Sequence, residues 1–126
     1  MIPVDTPEIG IDQLADAVRG GAAIIDVREL HEYVAGHVPG AVRIPMGQLP
    51  GRAAELDQRA PVYVVCASGN RSATMTGFLR AAGFDAYSVA GGTGEWTRSG
   101  RPVVRGHAPP RLRAHSSYDS QEGGHA

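Results

Sequence analysis

The sequence predicts a single α/β domain with a mainly parallel central sheet and helices on both faces. Four short runs are apolar almost throughout, as expected for parallel strands that are covered on both faces. Segments with helical periodicity separate these runs, and this alternation is typical of a parallel sheet. With 126 residues, of which 42% are hydrophobic, the chain has room for one domain with one core. The predicted strands are Ala22–Val27, Val42–Ile44, Val62–Val65 and Ala86–Val89.

Four segments carry the marks of helices. They are Ile11–Arg19, Glu29–Ala35, Gln48–Gln58 and Arg71–Ala82. The first has an apolar face and ends at Gly20, the second is followed by Gly36, and the third has the weakest pattern. In the fourth, apolar residues from Met75 to Ala82 recur at the i, i+3, i+4, i+7 spacing of one helix face, and Gly83 is placed to end it.

Composition and charge exclude several classes of protein. The chain has a net charge of −1, and its twelve basic residues are all arginines spread along the sequence, so we expect no nucleic-acid partner. No apolar run approaches the roughly 20 residues that span a bilayer, so we expect no membrane partner. One cysteine cannot form an internal disulfide, and the first residues lack the basic and apolar regions of a secretory signal. We therefore expect a cytoplasmic protein.

The expected domain spans residues 8–104. After Arg105 the composition changes, and the only sizeable apolar residues are Leu112 and Tyr118. Such a segment cannot bury enough apolar surface to order itself. We therefore expect residues 105–126 to form a disordered C-terminal tail.

The single cysteine, Cys66, lies between a predicted strand and the clearest predicted helix. In parallel sheets the functional crevice lies at the carboxyl ends of the strands, and Cys66 ends one of them. Free amides and the positive end of the helix dipole favour an anion there, so Cys66 should ionise readily and act in covalent catalysis. Gly69 gives the loop its conformational freedom, and Arg71 adds a cation near the rim.

Loop length distinguishes two kinds of cysteine chemistry. Cysteine-dependent phosphatases resemble one another in a Cys-x5-Arg loop, whereas this chain has Cys-x4-Arg, from Cys66 to Arg71. A smaller ring of amides suits a sulfur atom attached to the cysteine better than it suits a tetrahedral phosphate. The spacing therefore argues against a small phosphatase or arsenate reductase, which stays open as a less favoured alternative.

Four motifs, in order along the chain, resemble those of single-domain rhodanese-like sulfurtransferases. They are Ile25-Asp26-Val27-Arg28-Glu29, Gly36-His37-Val38-Pro39-Gly40-Ala41, the loop from Cys66 to Ala73, and Gly91-Gly92-Thr93-Gly94-Glu95-Trp96. The resemblance runs from about residue 8 to residue 104, and the four motifs together are far more specific than any one of them. It implies a single rhodanese-like domain.

The resemblance also implies a mechanism. Cys66 would take a sulfane sulfur from a donor such as thiosulfate, hold it as a persulfide and pass it to a thiophilic acceptor, either cyanide or a thiol. The acceptor could also be a protein, and neither a cofactor nor a metal is required. The loop residues that would surround the transferred sulfur are Ala67, Ser68, Gly69, Asn70, Arg71 and Ser72. Many relatives carry an arginine directly after the cysteine, so Ala67 removes one cation that would help to hold thiosulfate.

A second class of function stays open: a sulfur-relay or protein-binding module with little turnover of small molecules. Several residues near the expected site also have structural explanations. Asp26 and Arg28 lie on the same sheet edge as Cys66 and could bind substrate, but a structural pair is the favoured interpretation. For His37 a scaffold position is favoured over a role as general base, and for Trp96 we favour anchoring of a terminal helix.

Overall fold

A computed structural model describes residues 6–107, which form a five-stranded sheet with helices on both faces. The strands are β1 (Glu8–Ile9), β2 (Ala23–Asp26), β3 (Val42–Arg43), β4 (Val62–Val65) and β5 (Ala86–Val89). The helices are α1 (Ile11–Arg19), α2 (Leu30–Ala35), α3 (Leu49–Arg52), α4 (Asn70–Ala81) and α5 (Gly92–Arg98). A short 3-10 helix, Ala53–Glu55, follows α3. None of the helices in residues 6–107 has the length and apolar character needed to cross a membrane.

The strands are parallel and lie in the order β1-β5-β4-β2-β3, which confirms the predicted fold class. In the register of the sheet, Val65 of β4 is level with Asp26 of β2. The chain moves outward from β2 to β3 and then returns to the other side of β2 with β4, so the direction of strand order changes between β2 and β4. In parallel sheets the ligand crevice lies at such a switch point, at the carboxyl ends of the strands, and Cys66 directly follows β4 there.

Two hydrophobic clusters cover the two faces of the sheet. Successive residues of β4 serve opposite faces, because Val64 belongs to one cluster and Val65 to the other. The cluster under α3 and α4 contains Ile25, Val27, Ile44, Leu49, Leu56, Val62, Val64, Cys66, Met75, Leu79, Phe84 and Ala86. The cluster under α1 and α5 contains Ile9, Leu14, Ala15, Ile24, Val38, Ala41, Val65, Val89 and Trp96. Cys66 therefore faces α4.

The structure differs from the sequence prediction at three elements, one of which is helix α5 (Gly92–Arg98), a segment not among the predicted helices. The helix predicted at Gln48–Gln58 is divided into α3 and the 3-10 helix, and the chain is extended again at Leu56. Strand β1 was not predicted, because two residues are too few to show a period. Gly106, which lies in the segment predicted as a tail, donates its N–H to the carbonyl of Val34 at 3.0 Å. Residues 108–126 lie outside the described residues, and the domain boundaries at 8 and 104 stay a prediction.

The N-terminus of α5 docks against the loop that follows β4. The amide of Thr93 donates to the Cys66 carbonyl at 2.8 Å, and the amide of Gly94 donates to the Ala67 carbonyl at 2.9 Å. Gly92, at the start of this helix, has a left-handed φ of 58°. A Cβ atom on Gly92 would lie only 2.3 Å from the Cys66 carbonyl oxygen, so this close approach requires glycine. At the other end of α5, Trp96 is buried and donates its Nε1–H to the Pro102 carbonyl at 2.8 Å, as expected for an anchor.

Alanine at Gly92 should disrupt this docking. We expect Gly92→Ala to lower the free energy of unfolding by about 2 kcal/mol or more, because it combines a left-handed backbone with a clash against backbone atoms. Gly77→Ala is the matched control, since a Cβ atom at this position in α4 meets open space. It should raise the free energy of unfolding by about 0.5–1 kcal/mol. Urea denaturation measures both changes, and equal values for the two variants would contradict the tight approach of α5.

Candidate active site

Cys66 lies at the carboxyl edge of the sheet with 1% of its surface exposed. The chain turns from β4 into α4 through Gly69, whose left-handed φ of 113° directs two amides toward the sulfur. The Gly69 N–H donates to Cys66 Sγ at 3.1 Å, and the Ser72 N–H donates to the same atom at 3.3 Å. The predicted thiol at a helix start is therefore present, with the first turn of α4 closed around its sulfur.

The surroundings of Cys66 favour the thiolate. Burial raises the pKa of the thiol, but hydrogen bonds from the Ser72 hydroxyl and from the amides of Ser72, Gly69 and Ser68 lower it more. The pKa of Cys66 is therefore below the ordinary value of a cysteine. The carbonyls of Cys66 and Ala67 would repel an anionic sulfur, but both accept hydrogen bonds from α5. Since the thiolate is the nucleophilic form, this site suits attack by Cys66.

Arg71 has a partner that the sequence analysis missed. Its guanidinium makes two parallel hydrogen bonds to the carboxylate of Glu32 in α2, each 2.9 Å long. The hydrogen bonds from Arg71, with a smaller opposing effect of burial, lower the pKa of Glu32 from 4.5 to about 2. Glu32 also accepts the Glu29 N–H at 3.0 Å at the start of α2. The predicted cation at the rim is thus paired with a carboxylate, and the pair ties α2 to α4.

Asp26 and Arg28 form a buried pair beside this edge of the sheet. Arg28 Nε lies 2.9 Å from Asp26 Oδ1, and Nη2 lies 2.8 Å from Asp26 Oδ2. The same Nη2 donates to the carbonyl of Gly36, which ends α2. These contacts give both side chains a structural function in holding α2. Their contact with a substrate stays a prediction.

The other predicted loop residues lie around the mouth of the site. Ala67 is half-buried, while Ser68 and Asn70 are exposed. Within residues 6–107, the Gly69 amide and the amide and hydroxyl groups of Ser72 lie within hydrogen-bond distance of Sγ, and the Ser68 amide contributes more weakly. The ring around the sulfur is therefore made mostly of backbone, which explains why the side chains of this loop alone would not identify its donors.

Ser88 is the second group that the sequence analysis missed. It lies in β5 with no exposed surface, and its hydroxyl oxygen is 2.8 Å from that of Ser72. The only signal in the sequence was a lone polar residue within the apolar run Ala86–Val89. Sequence alone does not place that residue beside a loop sixteen positions earlier.

His37 lies in the scaffold. Its ring stacks on that of Tyr33 at a centroid distance of 3.6 Å, and its Nδ1 is 2.8 Å from the Tyr33 carbonyl. Tyr33 in turn donates its hydroxyl to the Ala41 carbonyl at 2.7 Å. Both rings are buried, so His37 braces α2 against the turn that follows it. Within the described part of the chain, no group of three or more His, Cys, Asp or Glu residues could hold a metal ion.

Comparison with known proteins agrees with this geometry. A family model for the rhodanese-like domain matches residues 11–99. The protein YrkF of Bacillus subtilis (strain 168), whose name gives it as a candidate sulfur carrier, is 36% identical over 94 residues. That match covers 72% of this chain and 51% of YrkF, so the chain spans about half the length of this curated relative.

Solved structures show the same fold. A rhodanese-related protein from Thermoplasma volcanium is 32% identical with a TM-score of 0.73, over 78% of this chain and 97% of its own. A rhodanese-like domain protein from Staphylococcus aureus is 30% identical with a TM-score of 0.70, over 81% of this chain and 100% of its own. A thiosulfate sulfurtransferase from Pseudomonas aeruginosa is 31% identical with a TM-score of 0.76, over 82% of this chain and 21% of its own.

Removing the carboxylate of Glu32 should loosen the tie between α2 and α4. We expect Glu32→Gln to lower the free energy of unfolding by about 0.5–1 kcal/mol near neutral pH, because the pair is partly exposed. The pKa of Glu32 is lowered from 4.5 to about 2, so the contribution of the pair is complete above pH 4.5 and is lost as the pH falls toward 2. Urea denaturation of both proteins across this range measures the difference.

The matched control is Glu55→Gln, which breaks the more exposed Arg52–Glu55 pair outside the Cys66 loop. We expect a smaller loss of stability for this variant. A difference between Glu32→Gln and the unsubstituted chain that does not shrink below pH 4.5 would show that the Glu32 charge does not stabilise the fold through Arg71.

Proposed function

This chain belongs to the rhodanese-like domain family, and we propose that it is a sulfurtransferase in which Cys66 carries a sulfane sulfur as a persulfide. One observation supports this proposal above all others: the amides of Gly69 and Ser72 converge on Cys66 Sγ from the first turn of α4. Groups that stabilise a thiolate can also stabilise the negative charge of a persulfide. The loop from Ala67 to Ser72 would then surround the sulfur in transit.

The reaction has two steps. In the first, the Cys66 thiolate attacks the outer sulfur of the donor, and the S–S bond of the donor breaks with its electron pair leaving on sulfite or on a thiolate. In the second, the acceptor attacks the outer sulfur of the persulfide, and the electron pair of the broken S–S bond returns to Cys66 Sγ. Cyanide becomes thiocyanate in this step, and a thiolate becomes a persulfide. The amides at the start of α4 stabilise the Cys66 thiolate before the first step and as the leaving group of the second.

The charges around the site bear on the choice of sulfur donor. Thiosulfate carries two negative charges, while Arg71 is already paired with Glu32 and Ala67 supplies no cation. We therefore propose slow turnover of thiosulfate, with organic persulfides as better donors. This balance also supports a sulfur-relay function, in which the acceptor is a protein thiol, and YrkF carries a name of that kind.

A free thiol that ionises readily stays reduced in the cytoplasm, which is the location we propose for this chemistry. No cofactor enters either step, since the nucleophile's electron pair forms the new bond to sulfur and the pair of the broken S–S bond leaves on the departing group. The phosphatase alternative has less support, because the Cys-x4-Arg loop is one residue shorter than the Cys-x5-Arg loop of those enzymes.

Mass spectrometry after treatment with thiosulfate or glutathione persulfide tests the proposed function. We expect Cys66 to gain the mass of one sulfur atom, and cyanide or a thiol to remove it. Cys66→Ser should show neither the adduct nor any turnover of thiosulfate to thiocyanate. Full turnover in that variant would rule out the mechanism, and release of phosphate from an aryl phosphate without a sulfur adduct would favour the phosphatase.

An arginine at position 67 should change the choice of donor. We expect Ala67→Arg to raise kcat/KM for thiosulfate about tenfold, because one added ion pair in a partly desolvated site is worth about 1.4 kcal/mol. With glutathione persulfide the change should be much smaller, since the group next to its sulfane sulfur is uncharged. Ala67→Gln, which has a side chain of similar length without charge, is the control. Equal gains for the two donors, or for the two variants, would contradict a shortage of positive charge at this site.

A further inference from the structure

We propose that Ser88 is a positioning residue: its hydroxyl donates to that of Ser72 in a two-hydroxyl chain, and the Ser72 hydrogen points to the sulfur when Cys66 loses its proton and to the Gly69 carbonyl when Cys66 gains it. The inference rests on the proposed function, since it assigns a task in the ionisation of Cys66. It concerns a residue outside the Cys66 loop, on the neighbouring strand β5.

The geometry places three groups in a row. Ser72 Oγ lies 3.5 Å from Cys66 Sγ on one side and 2.8 Å from Ser88 Oγ on the other. Both serines have no exposed surface, so water does not compete for these contacts. Within residues 6–107, the hydrogen-bond partner of the Ser88 hydroxyl is that of Ser72. The Ser72 hydroxyl also has the carbonyl of Gly69 at 3.2 Å as an acceptor.

Counting protons shows why the second hydroxyl matters. Each serine hydroxyl has one hydrogen to donate and can also accept. A thiolate at Cys66 offers no hydrogen, so Ser72 must donate to it, and Ser88 can then donate to Ser72. A protonated Cys66 can donate to Ser72, whose own hydrogen turns to the Gly69 carbonyl while Ser88 continues to donate to Ser72. The hydroxyl chain therefore satisfies both states without moving a heavy atom.

Donation from Ser88 also strengthens the contact with the sulfur. A hydroxyl that accepts a hydrogen bond is polarised and becomes a better donor, above all in a buried site. Without Ser88, the Ser72 hydroxyl no longer accepts this hydrogen bond and is a weaker donor to the sulfur. The thiolate then loses part of its stabilisation, and the thiol ionises at a higher pH.

The charged groups around the sulfur are not part of the two-hydroxyl chain formed by Ser72 and Ser88. Arg71 of α4 is the cation whose pKa is raised chiefly by its hydrogen bond to Glu32 and more weakly by negative charge at Cys66 and Asp26. Glu32 of α2 neutralises it, and β5 presents the uncharged Ser88. Replacing Ser88 therefore leaves the charges around Cys66 as they are, and a change in thiol ionisation would report on the hydroxyl chain.

The test measures ionisation of Cys66 directly, by the ultraviolet absorbance of the thiolate as a function of pH, with Cys66→Ser as the blank. We expect Ser88→Ala to raise the midpoint by about half a pH unit or more, as expected for the loss of support to one hydrogen bond to the charged form. In a Ser72→Ala background, Ser88→Ala should have no further effect, because the group through which it acts is gone. Thr76→Val is the matched control: it removes a buried hydroxyl of α4 that has no hydrogen-bond partner within residues 6–107, and should leave the midpoint unchanged.

A midpoint in Ser88→Ala that moves no more than in Thr76→Val would overturn the inference, as would full additivity with Ser72→Ala. Ser88→Cys keeps a weak donor of similar size and should give an intermediate midpoint when the double variant Cys66→Ser/Ser88→Cys is the blank, so it serves if the alanine variant does not fold. The readout needs no sulfur donor. Failure of the unsubstituted chain to form a persulfide would therefore count against the proposed function, while the shift in midpoint would decide the role of Ser88 separately.

Discussion

The interaction on which the rest of this site depends is the convergence of two α4 amides on the sulfur of Cys66. The amides of Gly69 and Ser72 reach Sγ only because Gly69 takes a left-handed backbone between β4 and the helix. A buried thiol would ordinarily be harder to ionise, and these hydrogen bonds reverse that tendency by lowering its pKa. The turn that joins β4 to α4 therefore also supplies the hydrogen bonds that stabilise the Cys66 thiolate.

Neighbouring elements hold that turn from three sides. Helix α5 binds the carbonyls of Cys66 and Ala67, so these dipoles face away from the sulfur while the amides face toward it. Helix α2 is tied to α4 by the Glu32–Arg71 pair, and β5 supplies a buried hydroxyl behind Ser72. A site supported in this way is arranged before a substrate arrives, which is what stabilisation of a developing negative charge requires.

Much of this architecture could be predicted from the sequence, because its signals are local. Apolar runs indicate four of the strands, the helical period indicates α4, and the position of Cys66 between a strand and α4 makes it the candidate nucleophile. Other features depend on contacts between distant residues. The partner of Arg71 lies 39 positions away in α2, and Ser88 reaches the loop only because β5 pairs with β4. Strand β1 and the glycine-rich start of α5 carry too few periodic residues to be recognised locally.

Titration of Cys66 in the intact chain tests the central claim most directly. Because the chain has one cysteine, labelling cysteine with ¹³C gives a single Cβ resonance whose shift follows ionisation of this thiol. The structure predicts a midpoint below that of the same cysteine in the urea-unfolded chain. A midpoint at or above that value would mean that burial outweighs the α4 amides, and would contradict the claim that this turn stabilises an anionic sulfur.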